Sequence, residues 1–213
     1  MPLTSKILIT QEDYTRQPFY GLNQLPSFLS PFSNELMFEL KFLKTYLNNY
    51  LKENLNLNQR RDYWITDGIQ VYIMMQYADE YFPELKMTGN VAHLKILKPY
   101  HFINLDFNQQ YSYLYMLMAR KNLDQPLNES KNRLIKFNEQ IASKYRAGLS
   151  LKYLDSYLGN EIVHKSIQEY IQENQFFGTN SRQFETVLVK NSPKDINWFF
   201  RTVYTAKCPN GYR

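Results

Sequence analysis

The stretch that decides the fold covers residues 33–55 and reads SNELMFELKFLKTYLNNYLKENL. Leucines recur along it at steps of three and four residues, which is the spacing of one face of an α-helix. They are Leu36, Leu40, Leu43, Leu47 and Leu51. Ser33 is a suitable N-cap, and Glu35 places a negative charge in the first turn. The stretch therefore predicts a long amphipathic helix that runs to about Leu55.

The chain beyond this stretch also predicts mostly helix. Pro83 ends a helix predicted for residues 67–82, and Gly159 ends another over 145–158 with a left-handed glycine. The region 89–106 predicts a loop. Asn180 or Ser181 caps a helix that continues to Leu188. The remaining predicted helices cover about 111–118, a segment that starts near Glu129, 161–173, and 195–204 with Asp195 as its cap.

The beginning of the chain has a different character. Residues 7–10 form a short β-like run, and Pro18, Pro26 and Pro31 follow within a stretch that cannot form a long helix. We therefore predict a mainly α protein with one or two short N-terminal strands. The predicted organisation is a strand-and-loop segment, 1–32, followed by a helical domain, 33–213, within one domain overall.

Composition limits the classes of partner. The net charge is +5, but acidic and basic residues alternate along most of the chain, and the only adjacent arginines are Arg60 and Arg61. Such scattered charge is typical of a solvated surface, so a nucleic-acid partner is not expected. No apolar run is long enough for a transmembrane helix, and the apolar stretch in the start MPLTSKILIT is too short for the hydrophobic region of a secretory signal. The chain reads as cytoplasmic or as a piece of something longer.

Residues that bind metals or act as nucleophiles are few. The three histidines, His93, His101 and His164, are isolated from one another, and Cys208 is the single cysteine. The eight-residue spacing of His93 and His101 is not that of a standard zinc motif, and His164 is expected to be a packing or surface histidine. The sequence also lacks a G-x-S-x-G nucleophile elbow and a glycine-rich phosphate loop.

Two segments resemble motifs of the M1-family zinc aminopeptidases, which are gluzincins. Residues 64–68 read WITDG and are similar to the family's W-L-N-E-G, with Asp67 in the place of the Glu that is the third zinc ligand. Downstream, YRAG at 145–148 is similar to Y-x-K-G and places Tyr145 where the family has its oxyanion-stabilising tyrosine. The resemblance covers most of the chain and implies the helical, thermolysin-like lobe of the catalytic domain, without the family's N-terminal β-domain.

The same resemblance implies that the zinc site is degenerate. In the family the helix before W-L-N-E-G carries H-E-x-x-H, whereas here FELKF at 38–42 keeps Glu39, the general-base position, and has Phe38 and Phe42 in place of the histidines. An alternative register by the usual gap to the third ligand places Lys44 and Asn48 at those positions. Catalytic zinc needs three protein ligands, so Asp67 alone cannot hold it.

The resemblance is looser upstream of this helix. Gly21 and Asn23 fall where the family has its substrate-binding G-x-M-E-N strand, and Asn23 replaces the Glu that grips a substrate's α-amine. The absence of the β-domain implies an uncovered apolar edge, and therefore either self-association or contact with the remainder of a longer chain.

Three functions are compatible with these features. The first is an M1-like lobe that has lost its zinc ligands, needs no cofactor, and binds a peptide or protein or serves as a scaffold. The second is an active zinc metallopeptidase in which His93 or His101 joins Asp67. The third is a helical protein-interaction module whose resemblance to the family is architectural only.

Overall fold

The structure is a computed structural model, and it describes residues 8–12, 32–89, 105–159, 161–175 and 177–205. The predicted mainly α architecture is confirmed. The helices are α1 (Asn34–Asn54), α2 (Tyr63–Tyr81), α3 (Gln109–Ala119), α4 (Ser143–Leu158), α5 (Ile162–Asn174), α6 (Ser181–Asn191) and α7 (Asn197–Phe199). A 3₁₀ turn at Lys131–Arg133 and a π-helical turn at Asn138–Ala142 precede α4, and a second π-helical turn, Phe200–Thr205, continues α7.

Contacts along the chain divide it into two compact units. The first unit contains residues 1–50 and 74–110, and the second contains residues 51–73 and 111–213. The predicted division at residue 32 stays a prediction, because residues 13–31 lie outside the described part.

Helix α1 begins as its sequence predicts. The Ser33 Oγ accepts a hydrogen bond from the Leu36 backbone N–H at 3.2 Å, which confirms the cap. Four of the five predicted leucines, Leu36, Leu40, Leu47 and Leu51, are buried. A second face carries aromatic rings four residues apart, and they stack in sequence with centroid separations of 6.2, 6.4 and 6.0 Å. The rings belong to Phe38, Phe42, Tyr46 and Tyr50.

The described part of the first unit is held by contacts of residues 105–108. The Phe107 ring packs edge-on against Phe32 at 5.6 Å. The Asn108 side-chain amide donates to the Met75 carbonyl at 2.8 Å and to the Asp79 carboxylate at 2.6 Å. An antiparallel bridge joins Lys86 to Asp106, whose side chains also form an ion pair at 2.7 Å.

Helix α2 starts four residues before the predicted position. The WITDG motif therefore lies inside its first two turns. Residues 63–66 and 68–72 are all buried, so this half of the helix is covered on every side. A helix surrounded by protein needs apolar residues all round, which weakens the periodic signal that marks its start.

The second unit packs its helices around a core rich in tyrosine and phenylalanine. The side chains of Tyr72, Tyr170, Phe184 and Phe199 are almost fully buried, and the Tyr170 hydroxyl accepts from the Thr179 Oγ1 at 3.0 Å. Two short parallel strands, β1 (Asn56–Leu57) and β2 (Gly178–Thr179), pair Asn56 with Gly178. Buried tyrosines need hydrogen-bond partners, and this strand pair supplies one.

Several predicted boundaries differ from the structure. The described residues of the β-like run, Leu8–Thr10, form no strand, and the two short strands lie instead at 56–57 and 178–179. The helix predicted from Glu129 is replaced by the 3₁₀ turn and the π-helical turn, and α4 begins at Ser143. Gly159 has the predicted positive φ of 69°, but its ψ of −178° is not that of a left-handed helix.

The caps predicted for the last two helices have different outcomes. Asn180 caps α6 in a capping box with Gln183, which confirms the prediction. The prediction of Asp195 as a cap is wrong, because the N-cap of α7 is Ile196, which makes no side-chain cap hydrogen bond. The Asp195 carboxylate instead accepts from the Asn197 backbone N–H at 2.9 Å, before a final segment that is α-helical for one turn and π-helical to Thr205.

Candidate functional site

The two segments that carry the M1 resemblance pack against each other in the second unit. A Cβ atom added to Gly68 on α2 would lie 2.9 Å from the Ala147 Cβ on α4. A Cβ added to Gly148 would overlap the Val71 side chain of α2. Two glycines thus let the helices approach closely at this crossing. The approach places Asp67 beside the N-terminal turn of α4.

The Asp67 carboxylate forms an ion pair with a lysine of the same chain. The Lys144 ammonium lies 3.3 Å from the Asp67 Oδ1, and 15% of the Asp67 side chain and 30% of the Lys144 side chain are exposed. The second carboxylate oxygen, Oδ2, is buried and has no hydrogen-bond partner among the described residues. Asp67 is therefore largely withdrawn from solvent and neutralised by Lys144.

Two hydroxyl side chains lie close to this ion pair. The pKa of Tyr63 is raised to about 12, mainly by burial; the Ser143 hydroxyl opposes this rise and the nearby Asp67 carboxylate adds to it. Tyr63 precedes Asp67 by one helical turn on α2, and Ser143 precedes Lys144 on α4. The group comprises Tyr63, Asp67, Ser143 and Lys144. It is a polar cluster at the α2–α4 crossing, with the tyrosine protonated at neutral pH.

Tyr145 packs against an aromatic ring. Its ring lies edge-on to that of Tyr111 on α3, with the centroids 4.8 Å apart and the planes at 83°. Burial raises the pKa of Tyr111, and the neighbouring Tyr145 adds to this effect. Asp67 and Tyr145 are thus brought into the same unit. The role of Tyr145 toward an oxyanion stays a prediction.

Glu39 belongs to the first unit, where it is hydrogen-bonded to a tyrosine. Its Oε2 accepts a hydrogen bond from the Tyr77 hydroxyl at 3.1 Å. Burial and this hydrogen bond to Glu39 raise the pKa of Tyr77. The neighbours Phe38 and Phe42 are exposed and stack on each other. Glu39 therefore ties α1 to α2 within this unit.

The side chains at the predicted ligand positions do not fit a zinc ion. Zinc binds thiolate, imidazole or carboxylate donors, and a phenylalanine ring at position 38 or 42 offers none of these. In the alternative register, Lys44 presents an ammonium group, and the Asn48 amide donates to the Asn49 side chain at 3.2 Å. Among the described residues, no group of three His, Cys, Asp or Glu side chains could hold a metal ion.

Of the remaining candidate residues, the structure describes only His164. His164 lies on α5, and its Nε2 accepts a hydrogen bond from the Gln168 amide at 2.9 Å, as expected for a packing or surface histidine. Gly21, Asn23, His93, His101 and Cys208 lie outside the described residues.

Sequence reasoning missed Lys144, although a signal for it exists. Lys144 directly precedes the matched Tyr145, at the start of a helix whose small residues Ala147 and Gly148 indicate a close helix crossing. A cation one turn before such a crossing is well placed to meet an acidic residue on the partner helix. That inference requires knowing that α2 is the partner, which sequence spacing does not reveal.

Sequence reasoning also missed a groove in the second unit. It lies between α4 and the final helical segment, 197–205, and has a volume of about 260 Å³. Trp198 and Tyr153 contribute exposed aromatic rings to it. The signal that could have indicated it is the four-residue spacing of Tyr153 and Tyr157 on α4.

Comparisons with family models, with curated proteins and with solved structures give no match. Among the described helices, none is both long and apolar enough to cross a bilayer.

Proposed function

We propose that the chain is a non-catalytic lobe of the M1-aminopeptidase type that acts by binding a peptide or protein segment. The observation that carries this proposal is the Asp67–Lys144 ion pair. A metal-binding carboxylate must offer its lone pairs to the ion, and an ammonium 3.3 Å away competes for the same oxygen and repels a divalent cation. The carboxylate in the third-ligand position is therefore committed to a structural contact.

The contact between the two motif segments supports the family part of the proposal. WITDG and YRAG are about 80 residues apart in the sequence, yet Gly68 contacts Ala147 and Gly148 contacts Val71. Trp64 is fixed in the same unit, because its indole N–H donates to the Ser181 Oγ at 3.2 Å. Two motifs that form one site should lie close together in the folded protein, and the WITDG and YRAG segments are in contact.

Metal content and hydrolysis test the proposal directly. The chain is purified without chelator, its zinc is measured, and leucine p-nitroanilide is then supplied with and without added zinc. We expect zinc far below one ion per chain and no turnover above a blank that lacks protein. Stoichiometric zinc with turnover that Asp67→Ala abolishes would overturn the proposal. Asp195→Ala, which changes an exposed carboxylate that accepts hydrogen bonds from Asn197, is the matched control.

A further inference from the structure

The groove between α4 and the final helical segment has the size of a single side chain. Its walls are Leu149, Ser150 and Tyr153 on one side and Trp198, Thr202 and Val203 on the other. Its volume of about 260 Å³ is below the range of roughly 300–1,000 Å³ that small-molecule sites occupy. It can therefore receive one aromatic or aliphatic side chain of a larger molecule.

The two walls are fixed to each other by a buried arginine. Arg146 on α4 forms an ion pair with Asp124 at 3.5 Å, and both side chains are almost fully buried. Its guanidinium also donates to the Val203 carbonyl at 3.0 Å and to the Gln125 carbonyl at 3.2 Å. Because the walls are already held in place, a ligand that binds in the groove loses little free energy to ordering of the protein.

The rim of the groove is aromatic. The Trp198 ring lies edge-on to Tyr153 at 6.2 Å and to Tyr157 at 5.7 Å. Tyr153 is 59% exposed and Trp198 is 36% exposed, so both retain free ring surface. Tryptophan and tyrosine are the residues that most often dominate the affinity of protein interfaces.

A lysine contacts Tyr157, which packs on Trp198 outside the groove lining. The Lys194 ammonium lies 4.5 Å from the centre of the Tyr157 ring and donates to the Tyr157 carbonyl at 2.7 Å. No carboxylate of the described residues lies within ion-pair distance of it. An ammonium has three donors, so this fixed cation can still bind an incoming carboxylate.

We propose that this groove binds a segment of a protein partner that inserts one apolar side chain beside Trp198 and places a neighbouring Asp or Glu on Lys194. The inference rests on the proposed binding function and names the chemistry of the ligand. The groove supplies the apolar contact, and Lys194 supplies the charge complementarity that selects an acidic segment over a basic one.

Tryptophan signals in ¹H–¹⁵N spectra test the proposal on the full chain. The chain has two tryptophans, so two indole N–H signals are expected, and Trp198→Phe assigns them. The probes are the capped peptide Ac-Gly-Phe-Asp-Asp-Gly-NH₂ and its counterpart with two lysines. We expect the acidic peptide to shift the Trp198 signal saturably and to leave the buried Trp64 signal in place. The basic peptide should bind about two- to fivefold more weakly.

Two pairs of variants isolate the groove and the charge. Tyr153→Ala should weaken binding of the acidic peptide by about fivefold or more. Tyr113→Ala, a similarly exposed tyrosine on α3 outside the groove, should not. Lys194→Gln should remove the difference between the two peptides, whereas Lys165→Gln, an exposed lysine on α5, should preserve it. The unchanged Trp64 signal verifies that each variant keeps its fold.

Several results would overturn the proposal. One is a Trp198 signal that neither peptide moves at millimolar concentration. Others are equal binding of both peptides by wild type, or equal losses in Tyr153→Ala and Tyr113→Ala. A Trp198 shift that appears on concentrating the protein alone would assign the groove to a second copy of the chain. Zinc content and peptidase turnover are separate readouts, so failure of the groove leaves the non-catalytic assignment to its own test.

Discussion

At the scale of single residues, the Asp67–Lys144 pair shows how a charge can be kept inside a helix crossing. Neither group is fully exposed, and the Asp67 Oδ2 has no hydrogen-bond partner among the described residues. The carboxylate therefore depends on Lys144 for compensation, since a buried charge without a partner is strongly unfavourable. The pair makes the crossing sensitive to loss of either member.

A double-mutant cycle on this pair measures that dependence. We expect Lys144→Met to lower the free energy of unfolding by about 1–3 kcal/mol, because it leaves the Asp67 carboxylate unpaired. Asp67→Asn combined with Lys144→Met should recover part of the loss, since the remaining amide carries no charge. Urea denaturation of the four proteins supplies the numbers. Additive losses in the double variant would contradict the coupling.

Gly148 offers a second residue-scale prediction. Gly148→Ala places a Cβ against Val71 and should force the helices apart, at a cost of about 1–3 kcal/mol in unfolding free energy. Gly178→Ala is the matched control, because nothing lies within 4 Å of its added Cβ. Chemical denaturation should therefore separate the two variants clearly. Equal stability would mean that α2 and α4 are not in close contact at this crossing.

At the scale of elements, α5 and α6 are clamped by a carboxylate that meets two donors. Glu169 on α5 binds the Lys190 ammonium and the Asn191 amide of α6. The hydrogen bonds from Lys190 and then from Asn191 hold the pKa of Glu169 below its ordinary value of 4.5. The same contact with Glu169 raises the pKa of Lys190 above 10.5.

The lowered pKa of Glu169 fixes the sign of a pH effect. A carboxyl whose pKa is lower in the folded protein than in the unfolded chain stabilises the fold above the unfolded pKa. That contribution should disappear as the pH falls below about 4.5 and through the folded pKa. The stabilities of wild type and Glu169→Gln should therefore differ at pH 6, and the difference should shrink as the pH falls below about 4.5. Parallel pH profiles would contradict the clamp.

At the scale of the whole molecule, the stability of the chain should not respond to zinc. An ion that binds only the folded protein raises the melting temperature in proportion to the logarithm of its concentration over Kd. Because Asp67 is paired and positions 38, 42, 44 and 48 offer no suitable donor set, we expect thermal unfolding to coincide with zinc, magnesium or chelator present. A rise specific to zinc and lost in Asp67→Asn would contradict this expectation.

The sequence predicted some levels of this structure better than others. Repeated leucines and local caps predicted α1 and α6 well, because the deciding interactions lie within one helical turn, as at Ser33 and Asn180. The start of α2 was misplaced because a helix buried on all sides has no polar face to mark its period. The partners of Asp67 and Trp198 depend on which helices meet, and residues far apart in sequence decide that.

The Asp67–Lys144 pair also constrains how metal chemistry could be engineered into this chain. Histidines added near Asp67 would meet an ammonium that already neutralises the carboxylate, so their benefit should be hidden until Lys144 is replaced. Replacing Lys144 first exposes an unpaired carboxylate and weakens the fold. The first step alone brings no benefit and the second alone is unfavourable, so a productive route requires simultaneous changes or a compensating stabilisation elsewhere. The effect of added histidines thus depends on the residue at position 144, so the ion pair hinders the stepwise conversion of this chain into a metalloprotein.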